Sequence, residues 1–160
     1  VIELLSPFPP SEFGRAWDWL NEYPERNLDD YGPQSREAWI AEMERRAEHE
    51  RTWGVVKDGE LVGIIGYLPL APRCGWFHGI CFTRSAWGRA TTQTAVEAVI
   101  QELFATGVEK ISASYFADNP KIHRFLADLG AVEEGLLRKQ TLRGGELIDM
   151  RLVAIFKRET

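Results

Sequence analysis

A chain of 160 residues that is 44% hydrophobic lies in the range of one domain and can bury a sizeable core without metal or disulfide staples. Its net charge of −5 argues against a general nucleic-acid binder, which needs a basic stripe, and no apolar run approaches the ~18 residues that span a bilayer. Two cysteines, Cys74 and Cys81, are too few and too apolar in context for a disulfide framework, and with no basic-then-apolar leader at the start they imply a soluble protein of a reducing, cytoplasmic compartment.

In chain order, Val1 to Leu5 reads as a strand and the Pro-rich stretch from Ser6 to Pro10 as a loop. Ser11 is placed to cap a helix with Phe13, Ala16, Trp17 and Leu20 on one face. A polar loop from Pro24 to Gln34 leads to a second helix, capped by Ser35, with Trp39, Ile40, Met43 and Ala47 inward. Strands at Thr52 to Lys57 and Glu60 to Leu68 flank Asp58-Gly59, a strong hairpin signal. A strand at Trp76 to Phe82 follows, then a Trp-Gly turn and a helix whose buried face is Val96, Val99, Ile100, Leu103 and Phe104, ending at Gly107. A strand at Lys110 to Tyr115, a helix at about Lys121 to Leu129, and a hairpin of Val132 to Leu142 and Leu147 to Phe156 turning at Gly144-Gly145 complete the chain. There is no repeat, low-complexity tract or linker, and the element order by itself indicates a mixed α/β domain.

The turn before the long helix is the most informative segment. Gly88 and Ala90 leave little side chain to block an anion from the first-turn amides, and Arg84 and Arg89 add positive charge, so the turn reads as a phosphate cradle. An ordinary strand-to-helix turn fits the same residues. Charge is uneven along the chain: residues 1 to 50 carry 5 Lys/Arg against 12 Asp/Glu, and residues 51 to 160 carry 14 against 12. A weakly basic body tolerates phosphates, and an acidic N-terminal part favours a cationic partner, although both are equally readable as solvated faces.

Trp87-Gly88-Arg89-Ala90-Thr91-Thr92 resembles the acetyl-CoA pyrophosphate loop of the GNAT N-acetyltransferase superfamily, Q/R-x-x-G-x-G/A. Gly88 agrees with a glycine common in that loop; Trp87, Ala90 and Thr92 depart from the pattern, and β-branched Thr92 is expected to narrow the turn. Residues 118 to 143 resemble the second motif of the ribosomal-protein N-terminal acetyltransferase-like subgroup, with Asn119, Gly130, Glu134, Gly135 and Arg138 in order and Gly145 to Asp149 following. The resemblance covers the chain from about residue 52. It implies one GNAT-like acyltransferase domain over residues 1–160, with a mixed, mostly antiparallel seven-stranded sheet flanked by about four helices. It also implies acetyl-CoA as co-substrate, no metal, and a primary amine as acceptor, either a protein N-terminus or a small amine. A homodimer is left open.

Acetyl transfer needs a neutral amine, N–H donors for the oxyanion, and a proton for the departing thiolate. The resemblance assigns the donors to amides near Gly79 and Ile80, where glycine suits a strand distortion. His78, on the same strand, is the candidate base, because imidazole changes protonation near neutrality; a half-buried strand histidine bonded to a carbonyl is the alternative. Cofactor contacts are expected from Ile80, Phe82, Arg84, Trp87, Gly88, Arg89, Ala90, Thr91 and Thr92. Asn119 is expected to hold the pantetheine arm or to cap its helix, and His123 shares its face at i, i+4. The positions where relatives place an acid hold Leu126 and Ile122, which look like core, and Tyr115 or Ser114 is the substitute. That gap keeps two alternatives in view: an acyl-CoA-binding module that has lost catalysis, and an acyltransferase acting on modified nucleic acid or aminoacyl-tRNA.

Overall fold

Two tight turns set the register of the sheet. In the computed structural model, which describes residues 1–159, Asp58 and Gly59 lie at φ 51° and 83°, and Gly144 and Gly145 at 59° and 80°. Positive φ at both central residues matches the twist of the flanking strands. The turns join β2 (Arg51–Lys57) to β3 (Glu60–Ala71) and β6 (Val132–Arg143) to β7 (Glu146–Phe156). With β1 (Ile2–Leu5), β4 (Cys74–Phe82) and β5 (Lys110–Phe116) they form one seven-stranded sheet, ordered β1-β2-β3-β4-β5-β7-β6. Every neighbouring pair is antiparallel except β4 and β5.

Among the described residues five α-helices cover the sheet: α1 (Phe13–Leu20), α2 (Pro24–Asn27), α3 (Arg36–Arg46), α4 (Thr94–Ala105) and α5 (Pro120–Asp128). The one beyond the expected four is α2, a single turn opened by Pro24 inside the polar loop, where the missing N–H of proline costs nothing. Ser35 caps α3 as predicted, accepting the Ala38 N–H at 3.1 Å. Ser11 does not cap α1; Pro10–Glu12 close a 3₁₀ turn first, leaving Glu12 at the helix start with no capping bond. Ala47 ends α3 exposed rather than facing inward.

The sheet separates two cores. On one face Val96, Val99 and Leu103 of α4 pack with Trp53, Ile65, Phe77, Phe82 and Ile111, and Leu126 of α5 joins them. Each such side chain contributes about 1.5–3 kcal/mol by burial, more than the few tenths that β-branched residues cost a helix, so packing rather than propensity holds α4. On the other face Phe8, Phe13, Ala16, Trp19 and Met43 pack with Ile64 and Cys81. Trp19 is the buried tryptophan of α1, edge-on to Phe8, while Trp17 rests on Trp39. Both cysteines are free, and burial pushes the Cys81 thiol up to about 12. Among the described residues no helix is long and apolar enough to cross a membrane.

The parallel pair is short. β4 and β5 meet only at Cys74–Lys110, Gly75–Ile111 and Trp76–Ser112, after which β5 continues against β7 alone. From Phe77 to Phe82 one edge of β4 is therefore open, and the sheet splits.

Candidate active site

A cavity of about 910 Å³ runs through the split, with walls from the α1–α3 segment, β4, β5 and α5. Within it the β3–β4 register slips: Gly66 pairs Gly79 but Tyr67 pairs Phe77, so His78 is the extra residue of a bulge. The distortion thus falls one residue before Gly79, the position expected from sequence. A Cβ at Gly79 would meet nothing within 4 Å, so no packing contact demands glycine there.

Backbone groups in an antiparallel ladder point alternately to its two edges. The Thr83 N–H bonds the Val62 carbonyl of β3 at 2.9 Å. Gly79, an even number of residues away with no slip between, turns its N–H the same way, whereas Ile80 and Phe82 turn theirs to the open edge. This removes the Gly79 amide as an oxyanion donor and leaves Ile80.

His78 has a 45% exposed side chain that hydrogen-bonds Glu50 through Nδ1. Glu50 is 1% exposed, just beyond α3, and Arg46 donates to it from Nε at 3.1 Å and Nη2 at 3.0 Å. Burial alone would raise the Glu50 pKa; the hydrogen bonds from His78 and Arg46 outweigh it and hold the carboxyl below its ordinary value. Gly66 of β3 lies beside the pair: a Cβ there would stand 3.9 Å from Glu50 Oε2, in ordinary contact. Neither Glu50 nor Arg46 was expected in the site. Their i, i+4 spacing marks an ion pair, but the meeting with His78 depends on how β2, β3 and β4 align.

On the other face, Trp87 lies between Phe82 (centroids 5.5 Å apart) and Phe125 of α5 (5.7 Å). Gly88 follows at φ 153°, ψ 169°, a region essentially restricted to glycine, with open space where a Cβ would be. One π-turn, Arg89–Gln93, intervenes before α4. Contrary to the expectation of an open cradle, the loop's amides are not all free. The N–H groups of Thr91 and Thr92 go to the Gly88 carbonyl (3.3 and 2.9 Å) and that of Gly88 to Thr92 Oγ1 (3.3 Å). Those of Arg89 and Ala90 have no acceptor among the described residues. Thr92 is fully buried, its hydroxyl donating to the Ala86 carbonyl, so it braces the turn from inside and does not narrow it. Arg89 extends to Asp128 of α5 at 3.4 Å.

Asn119 caps α5, its Oδ1 accepting the Ile122 N–H at 3.3 Å, and also lines the cavity. Tyr115 is buried on the α4–α5 face with its hydroxyl 2.5 Å from His123 Nδ1, and burial raises its pKa. His123 thus meets Tyr115 rather than standing free beside Asn119. Ile122, Phe125, Leu126 and Leu129 belong to the core, as expected. Arg84 does not extend to the Gly88 turn; its guanidinium carbon lies 5.2 Å from the Tyr23 ring centre.

The acetyltransferase (GNAT) family model matches residues 13–131. The uncharacterized N-acetyltransferase YoaA of Bacillus subtilis (strain 168) is 28% identical over 109 residues, 66% of this chain; the match spans 62% of that relative's length. Spermidine N-acetyltransferase from Vibrio cholerae, solved in complex with CoA and spermine, superposes with a TM-score of 0.81 at 17% identity, covering 97% of this chain and 95% of that one. Ribosomal-protein-alanine N-acetyltransferase from Brucella melitensis gives 0.76 at 17% identity, covering 98% and 99%.

Proposed function

The chain belongs to the GNAT acetyltransferase family, and from that premise we propose that residues 1–160 form one acyltransferase domain that moves acetyl from acetyl-CoA to a primary amine by direct attack on the thioester. The observation that carries this is the division of the split sheet. The Glu50–His78 pair opens on the α1–α3 face, and the Gly88 turn with Tyr115 lies on the α4–α5 face.

The fit to acetyl-CoA rests on the loop. Gly88 leaves open space where any other residue would place a Cβ, and the adjacent N–H groups of Arg89 and Ala90 point at no protein acceptor among the described residues. They suit a diphosphate, with Arg89 adding charge and Trp87 forming the wall. The open-edge N–H group of Phe82, with Asn119 opposite, suits the amides of the pantetheine arm.

In the reaction His78 takes a proton from the acceptor ammonium or attacking amine, and Glu50 holds the ring and stabilises the imidazolium. The amine nitrogen bonds the acetyl carbon as the C–S bond breaks, with the Ile80 N–H on the carbonyl oxygen. Tyr115, kept protonated by burial, gives its proton to the departing thiolate; His123 Nδ1 passes one back to the phenolate as its Nε2 takes one from solvent. The test has two parts. Acetyl-CoA at 100 times its dissociation constant should stabilise the fold by about 2.7 kcal/mol, and an amine should then release free CoA thiol. No thermal shift with any acyl-CoA, or no thiol release with any amine, refutes the reading.

A further inference from the structure

The carboxylates lining the cavity on the α1–α3 side are all engaged. Asp29 accepts the N–H groups of Tyr31 (3.1 Å) and Gly32 (2.9 Å) through Oδ1 and the Thr141 hydroxyl (2.7 Å) through Oδ2. Glu42 pairs with Arg45, and Glu50 with Arg46 and His78. The guanidiniums of Arg26 and Arg84 line the same wall but form no ion pair among the described residues. Both lie over one ring, Tyr23, at 5.1 and 5.2 Å from its centre. The nearby acid, Glu22, is taken up by the Arg84 backbone N–H (2.8 Å) and the Thr83 hydroxyl (3.0 Å).

Each guanidinium is attracted to the ring, but two like charges gathered around one ring also raise the local positive potential and favour an anion beside them. A guanidinium fork is also the group best matched to a carboxylate or phosphate. Resting on the transferase reading, we propose that the acceptor is an amine that also carries an oxyanion group. The anion sits at Arg26 and Arg84, and the amine reaches His78. The acidic composition of the N-terminal third points toward a cationic acceptor; in the fold the acids of that third that line the cavity, Asp29, Glu42 and Glu50, each hold internal partners. A polyamine would bring a second cation beside two guanidiniums with no free carboxylate to receive it.

The experiment compares kcat/KM for O-phosphoethanolamine and γ-aminobutyrate with their neutral counterparts, ethanolamine and n-butylamine, and with spermidine, in the wild type and in Arg26→Gln and Arg84→Gln. The expected result is a preference of about tenfold or more for one anionic amine over its counterpart, with spermidine poorest. Each variant should bring that ratio toward one through KM, and the two anionic arms separate phosphate from carboxylate. A preference for spermidine or the neutral amines overturns the proposal. So does an unchanged ratio with a raised acetyl-CoA KM, which would put the guanidiniums on cofactor phosphates. Turnover without charge preference removes this inference alone; no turnover of any amine removes the transferase reading as well.

Discussion

Glu50→Gln separates a structural from a catalytic role for the buried carboxylate. Arg46 is 17% exposed on its side chain and donates twice to Glu50, which is 1% exposed. Removing one charge leaves a guanidinium with little solvent and no counter-ion, a change that costs about 3 kcal/mol. Against a typical stability of about 5–15 kcal/mol the variant stays folded, so its kinetics can be read. His78→Gln should lower kcat/KM by about 100-fold or more, the usual worth of a general base. Glu50→Gln keeps the imidazole but loses its orientation, and a loss of about tenfold is expected. If Glu50 acts through His78, the double variant should be no slower than His78→Gln alone, a coupling of about 1.4 kcal/mol. Urea melts give the stability term, and steady-state rates with a verified acceptor give the kinetic one. Multiplicative losses in the double variant would show two independent contributions. A His78→Gln enzyme at the wild-type rate would make His78 a packing residue.

Because the Glu50 carboxyl is held below its ordinary value, its stabilisation is present above the unfolded carboxylate pKa of 4.5 and is lost as pH falls through the folded value. Glu50→Gln should flatten that acid limb in pH-dependent melts, whereas Asp118, similarly lowered by Arg143 but 55% exposed on its side chain, should contribute little. Asn119→Ala should lower stability by about 1 kcal/mol through loss of the α5 cap, and a rise in acetyl-CoA KM beyond that effect would mark the free amide nitrogen as a pantetheine contact. Gly88→Ala should weaken acetyl-CoA binding about tenfold, measured by titration calorimetry, because the glycine-only backbone angles cost about 1–3 kcal/mol for alanine; unchanged affinity would remove the cradle from this turn. Tyr115→Phe should lower kcat with acetyl-CoA affinity unchanged, and should do so less with a thioester whose thiol is more acidic; equal losses would assign Tyr115 to packing alone.

The elements set by local chemistry were legible in the sequence. Asp58-Gly59 and Gly144-Gly145 name their turns, and the apolar spacing of Val96, Val99 and Leu103 names the buried face of α4. What was not legible depends on residues far apart in the chain. Glu50 and His78 are 28 positions apart and meet because β2, β3 and β4 align side by side. From sequence alone Thr92 is an obstruction, because the direction of its side chain follows from the π-turn, which no local pattern announces. The acidity of the first 50 residues was visible, but the backbone and hydroxyl donors that hold Glu22 and Asp29 in place were not.

One signal for the bulge does lie in the sequence. Side chains of a regular strand alternate faces, so residues five apart point to opposite sides. Phe77 and Phe82 are five apart, yet both are buried in the core under α4 and α5. A regular β4 could bury only one of them there. Inserting one unpaired residue between them resolves the conflict, and that residue is His78. Because the bulge absorbs a parity error, its side chain belongs to neither core and opens toward Glu50 on the α1–α3 face. The packing demand of two phenylalanines and the placement of the candidate base are thus one event, and Phe77→Ser should relax the bulge and misplace His78 without touching either partner of the Glu50 pair.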